Sequence, residues 1–226
     1  MRQVKYLAML LIALFCSTTI NAQGIKIYQK SGEAIEITYT DIDSIVAYGD
    51  NSNKDKYEAV DLGLSVKWAT FNVGATAPEE IGDYFAWGEI APKSEYSRST
   101  YTLSISGSIS GNPEYDAATA NWGEGWRMPT KAEFKELIDE CVWEWKTVNG
   151  VNGYEITGAK GNTIFIPATG YKNGTTITFK DDKGAYWSGT PYNTMYGSKL
   201  SFKKTSQSND FDMRYYGLAI RPVKVE

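Results

Sequence analysis

Residues 126–134 read Trp-Arg-Met-Pro-Thr-Lys-Ala-Glu-Phe, and they constrain the fold more than any other stretch of the chain. Pro129 fixes its own φ and biases Met128 toward extended backbone, so a strand or loop must stop here. Thr130 offers a hydroxyl to the first turn of a helix, and Glu133, three residues on, completes a capping box. Beyond it Phe134, Leu137, Ile138 and Cys141 recur at i, i+3, i+4 and i+7, the apolar face of an amphipathic helix. The rest of the chain has to supply what that face packs against.

The N-terminus follows a different grammar. Arg2 and Lys5 make a basic start, residues 7–15 an apolar run, and Asn21-Ala22-Gln23 a small-residue cleavage point; this is the layout of a signal peptide over residues 1–22. The run is too short for a membrane span, and no later stretch reaches about 18 consecutive apolar residues, so no transmembrane segment is expected after signal removal. The expected destination is export: secreted, periplasmic or on the outer-membrane surface. Cys16 lies inside the signal and raises a lipid anchor as the alternative, although Phe15 stands where lipoprotein signals carry a small residue. Losing residues 1–22 removes Arg2 and Lys5, which leaves 21 basic against 27 acidic side chains and a net charge of −6. An acidic, unclustered surface argues against nucleic acid and anionic lipid as partners. Cys141 is then the one remaining cysteine, so no intramolecular disulfide can form, and its place on the apolar helix face reads as an inert buried thiol.

Residues 23–48 form a small β unit in this reading. Ile25 and Ile27 alternate with polar neighbours, Lys30-Ser31-Gly32-Glu33 turns, and Ile35, Ile37 and Tyr39 alternate again before a third apolar piece at 42–46. Residues 49–56 have no apolar side chain and read as a linker. A larger domain, 57–226, begins with Val60 to Thr70 as two short strands about a glycine turn. Gly82 to Glu89 is an aromatic run framed by glycines, residues 94–112 have the Ser/Gly composition of a surface loop, and Asp116 can cap a short helix to Asn121. After the Thr130 helix the pattern is β: Trp143 to Val148 and Tyr154 to Thr157 flank an Asn149-Gly150 hairpin turn. Thr163 to Pro167, Tyr186 to Ser188, Ser198 to Phe202 and Gly217 to Pro222 follow as strands. Many short strands with few helices make the expected class α+β.

Zero histidine removes Ser-His-Asp and Cys-His catalysis and the usual zinc and iron sites. Glu79, Glu80, Asp83 and Glu89 cluster near an aromatic run, but no spacing makes two of them face one another, so turn-holding roles are expected over acid–base work. Asp181, Asp182, Asp210 and Asp212 could gather oxygens for calcium, against the simpler reading of solvated turns. No metal and no cofactor are expected. Aromatic residues are the positive signal: all 7 Trp and all but Tyr6 of the 16 Tyr lie beyond the signal segment. Sugars stack on such rings, and tyrosine also gives rigid protein contacts.

Five blocks occur in order: Val60 to Ala69, Gly82 to Glu89, Trp126 to Thr130, Tyr186-Trp187-Ser188 and Ala219 to Val223. Together they resemble the Fibrobacter succinogenes major paralogous domain, common in secreted and surface proteins of Bacteroides and relatives. The resemblance covers residues 57–226 and implies a C-type lectin-like fold with one main amphipathic helix, distantly similar to the formylglycine-generating enzyme group. It marks Trp68, Trp87, Trp126, Arg127, Pro129, Thr130, Glu133, Trp187 and Arg221 as structural. Those enzymes bind copper through C-terminal cysteines, and this chain has none after Cys141, so the activity does not carry over. Family members also carry a cysteine at the position of Phe71, implied to pair with the one at Cys141; packing of Phe71 has to replace that link. The calcium-lectin sugar motifs are missing, and Ser208-Asn209-Asp210 is a fragment of one. Asp43-Ser44-Ile45 is similar to an O-glycosylation pattern of Bacteroides, and Asn173-Gly174-Thr175 is a formal sequon.

In C-type lectin-like domains the C-terminal region commonly presents the ligand face. That places the expected site at Tyr192, Asn193, Tyr196, Asn209, Asp210, Asp212, Tyr215 and Tyr216. The function expected is a non-enzymatic binding protein of the cell envelope or medium, with a glycan or a protein surface as partner. The alternative is an assembly component of a surface complex without a ligand site of its own.

Overall fold

The computed structural model describes residues 57–225 together with the backbone of two strands, β1 (Gly24–Tyr28) and β2 (Ala34–Thr38). The chain divides into two compact units, Met1–Tyr48 and Gly49–Glu226. In the first, β1 and β2 pair antiparallel with Ile25 opposite Ile37 and Ile27 opposite Ile35. The signal segment with Cys16, the Lys30 to Glu33 turn, Tyr39, the 42–46 piece with Ser44, and the 49–56 linker lie outside the described residues.

The described residues of the second unit form small antiparallel sheets and two α-helices. Its strands are β3 (Ala59–Val60), β4 (Lys67–Ala69), β5 (Trp126–Arg127), β6 (Val142–Val148), β7 (Val151–Thr157), β8 (Thr163–Pro167), β9 (Tyr171–Asn173), β10 (Thr176–Thr178), β11 (Lys183–Pro191), β12 (Tyr196–Lys203), β13 (Ser206–Met213) and β14 (Val223–Lys224). The helices are α1 (Ala117–Trp122) and α2 (Lys131–Glu140). β3-β4-β14-β5, β6-β7-β8 and β11-β12-β13 are the larger sheets. Among the described residues no helix is long and apolar enough to cross a membrane.

Alternation along the central segments splits the interior in two. Trp68, Tyr186 and Ala219 belong to one buried cluster, while their chain neighbours Ala69, Trp187, Leu218 and Ile220 belong to the other. Successive side chains of extended backbone point to opposite faces, so these segments form a wall with apolar material on both sides.

α2 and the β6-β7-β8 sheet close the first side. Phe134 and Leu137 are buried there, with Ile138 and Cys141 packed at the margin. The capping box forms in both directions: Thr130 Oγ1 accepts from Glu133 N at 3.2 Å, and Thr130 N donates to Glu133 Oε2 at 2.7 Å. The β6–β7 hairpin turns through Asn149 (φ 48°) and Gly150 (φ 83°), the left-handed pair that a two-residue turn requires.

α1 and the irregular segments around it close the second side. Asp116, fully buried, receives Ala118 N and Thr119 N on Oδ1 and Gly111 N and Met128 N on Oδ2, at 2.7–3.1 Å. Burial raises the pKa of this carboxyl, and the four N–H donors oppose that shift. Trp122 stacks flat on Tyr57 at 3.9 Å and meets Trp126 at a right angle at 5.0 Å. Phe71 packs edge-on to the same Trp122, whereas Cys141 packs in the other cluster.

Three expectations need correction. Residues 94–112 are irregular but not merely superficial: Tyr96 and Ile109 are buried, with Tyr96 Oη donating to Tyr84 O and Ile109 N to Gly189 O. Gly217 to Pro222 is no continuous strand. It makes single bridges to Lys172, Phe85 and Tyr186, each from a different part of the chain, and regular pairing begins only beyond it, at β14. The polar run Ser206–Met213, expected as turns, is an eight-residue strand.

Candidate functional site

Two regular strands and their turn position the rings at one end of the β11-β12-β13 sheet. In the β11–β12 turn Asn193 Oδ1 accepts from Met195 N and Tyr196 N, both at 2.9 Å, and Tyr192 N donates to Tyr196 O at 3.0 Å. From below, the buried Arg214 guanidinium donates to Asn193 O at 2.6 Å and to Ile105 O at 2.9 Å, and lies 4.1 Å from the Trp87 ring centroid. Arg214 N donates to Met195 O at 3.1 Å, completing the clamp.

On this framework Tyr192 stacks on Phe211 at 4.1 Å with 12° between planes, and Tyr196 stands edge-on to Phe211 at 5.3 Å. Tyr192 is 50 % exposed, Met195 56 % and Phe211 40 %. Lys131 Nζ sits 6.0 Å from the Tyr192 centroid, and the α2 N-terminus is tied to the sheet through Lys131 N to Thr190 Oγ1 and Asn209 Nδ2 to Lys131 O.

The expected residues therefore separate. Tyr192, Asn193 and Tyr196 gather with Phe211, and Asn209 lies beside them against α2. Asp210 pairs in register with Lys199 on the opposite sheet face, where Asp212 Oδ2 accepts from the buried Lys199 Nζ at 2.7 Å. Tyr216 stacks on Tyr171 at 5.4 Å with Tyr215 edge-on to it. Burial, then Tyr215 and Asp212, pushes the Tyr216 phenol up. Asp210 and Asp212 do not join Tyr192, because strand alternation sends neighbouring residues of β13 to opposite faces, and Tyr216 and Tyr215, which follow β13, pack on Tyr171 and on each other instead. Phe211 and Met195 are what the sequence reading missed. The signal existed: Phe211 and Met213 alternate with Asp210 and Asp212, a period of two.

Of the acidic candidates near the aromatic run, Glu79, Glu80 and Glu89 have side-chain partners, while Asp181 Oδ1 is buried without one among the described residues. Glu79 accepts from Asn149 Nδ2, Glu80 from Thr76 N and Oγ1, and Glu89 from Lys93 Nζ. Asp83 lies against Gly74, where an added Cβ would clash with Asp83 Oδ2. Among the described residues no group of three or more His, Cys, Asp or Glu converges as a metal site. Burial, then Glu136 and Glu140, pushes the Cys141 thiol up to about 11, so it stays protonated at neutral pH. A polar hollow beside Asp61, Ser65, Lys67 and Lys160 has its Asp61–Lys160 charges paired at 2.6 Å. The expected structural residues sit as follows. Trp68, Trp87, Trp126 and Trp187 are buried, Arg127 pairs with Glu133, and Pro129 O accepts from Gly189 N. Arg221, fully buried, donates to Asn72 Oδ1, Ala69 O and Phe165 O.

Compared with protein-family models, curated proteins and solved structures, the chain matches none.

Proposed function

We propose that this protein is an exported, non-enzymatic binding module whose ligand docks on the Tyr192–Tyr196–Phe211 surface. The observation that carries this reading is an exposed, stacked aromatic pair, Phe211 on β13 and Tyr192 on a turn that Arg214 holds through Asn193 O. Rings displayed this way lose little freedom on binding, so contact area converts to affinity at low entropic cost. We extend the proposal to the frame: a C-type lectin-like domain of the Fibrobacter major paralogous type. In its support, three of the other four motif blocks pair with the C-terminal one through β4, β5 and Tyr186, and Phe85 of the fourth pairs with Leu218, the residue just before it. The partnered carboxylates of Glu79, Glu80 and Glu89 and the protonated Cys141 favour binding over catalysis.

The test is a binding screen of residues 23–226 against glycan and peptide arrays, with Tyr192→Ala and Phe211→Ala as comparators. Reproducible hits that weaken in both variants support the reading. Hits indifferent to both would remove this surface from it. No hits, with a self-associated or partner-bound form in native extracts, would favour an assembly component.

A further inference from the structure

We infer that the ligand is a polypeptide segment presenting an aliphatic or aromatic side chain next to an aspartate or glutamate, an inference that rests on the binding-module reading above. Sugar recognition needs a ring face together with planar polar groups free to clasp hydroxyls. Here the amides serve the protein itself: Asn193 Oδ1 takes two turn N–H groups, Asn209 Nδ2 is given to Lys131 O, and Asn209 Oδ1 is buried without a hydrogen-bond partner among the described residues. What the surface offers outward is apolar: Tyr192, Phe211 and the flexible Met195, a side chain suited to accommodating apolar partners.

The surface also carries one charge. Lys131 is exposed beside Tyr192, and among the described residues it makes no ion pair, although Lys135, one turn along the same helix, is paired with Asp139. A carboxylate on the partner complements it.

Addition of a partner strand to β13 is a poorer fit. Phe211 N and Met213 N, two residues apart and so directed to the same side, donate to the carboxylates of Asp210 and Asp212. Carboxylates placed over edge donors discourage strand pairing, which leaves side-chain docking on the ring face as the mode.

The experiment pans a random-peptide phage library against residues 23–226, resynthesises the enriched peptides and titrates them by fluorescence anisotropy. Enriched peptides should carry a large apolar residue within two positions of Asp or Glu. Their affinity should fall about tenfold or more in Phe211→Ala and about threefold in Lys131→Gln. Added salt should weaken wild-type binding and leave Lys131→Gln nearly unchanged. Val142→Ala, at an exposed site elsewhere, should bind as wild type, and matching near-ultraviolet circular dichroism shows that the variants fold. Peptides without an acidic residue, bound equally by Lys131→Gln, overturn the inference. Glycan-array hits lost in Phe211→Ala without peptide enrichment also overturn it, while keeping the binding module. Silence in both screens sinks the inference and the binding reading together.

Discussion

The two sides of the central wall solve the same problem with different means. On the α2 side, backbone polar groups are satisfied by helix and ladder bonds, and the apolar face fills from elements of recognisable period. On the α1 side the chain is irregular, and its buried carbonyls and N–H groups are answered one at a time by side chains. Asp116 collects four N–H groups and Arg214 serves carbonyls, while Arg221 belongs to the wall itself and reaches from Ala69 O to Phe165 O of β8. Trp87 Nε1 donates to Ser188 O and Trp187 Nε1 to Phe85 O, both at 2.8 Å. Stability on the first side is therefore spread over many small contacts, and on the second it hangs on a few polar residues.

The largest loss is expected within the wall that separates the two sides, in Arg221→Met. It leaves Ala69 O, Phe165 O and Asn72 without their donor in the interior, and a loss of about 4 kcal/mol is expected by urea unfolding. Burial lowers the Arg221 pKa to about 10, still cationic at neutral pH, so the loss should be flat between pH 6 and 8. Asp116→Ala should cost about 3 kcal/mol for its orphaned N–H groups, and a loss below about 1 kcal/mol would mean that water can replace the carboxylate. On the α2 side Leu137→Ala, a cavity beneath the helix, should cost about 2.5 kcal/mol; if it exceeds Asp116→Ala, the two sides do not differ as described.

Glu133→Gln is the smallest and the most informative about pH. Burial alone would raise the Glu133 pKa, but the Arg127 guanidinium and Thr130 N–H hold it below its ordinary 4.5. A carboxyl depressed in the folded state adds stability above its unfolded pKa and loses it as pH falls through the folded one. The variant should thus be about 1 kcal/mol less stable at pH 7, solvent screening keeping the figure small, and the gap should close below pH 4.5. A gap that persists at pH 3 would contradict the assignment.

The same contrast explains what could be read in advance. The α2 cap and face, the Asn149-Gly150 hairpin and the Asp116 cap are encoded by neighbours within a few residues, and all three form. Tyr96 and Ile109 are buried through partners far away in the chain, Tyr84 and Gly189, which no local pattern announces. β13 escaped because an edge strand has one solvated side and can be written mostly in polar residues. The candidate site was legible in part: Tyr192 and Tyr196 meet, but only register shows that Phe211 joins them and that Asp210 and Asp212 face away.

The Tyr57–Trp122–Trp126 arrangement has an optical consequence. Two indoles 5.0 Å apart at 84°, with a phenol stacked flat on one of them, couple their transitions strongly. Such coupling adds a pair of bands of opposite sign to the far-ultraviolet dichroism, on top of the peptide signal. A helix content taken from that spectrum will be distorted for this chain. The same bands, however, report the docking of α1 on its neighbours and should vanish in Trp122→Phe without loss of α2.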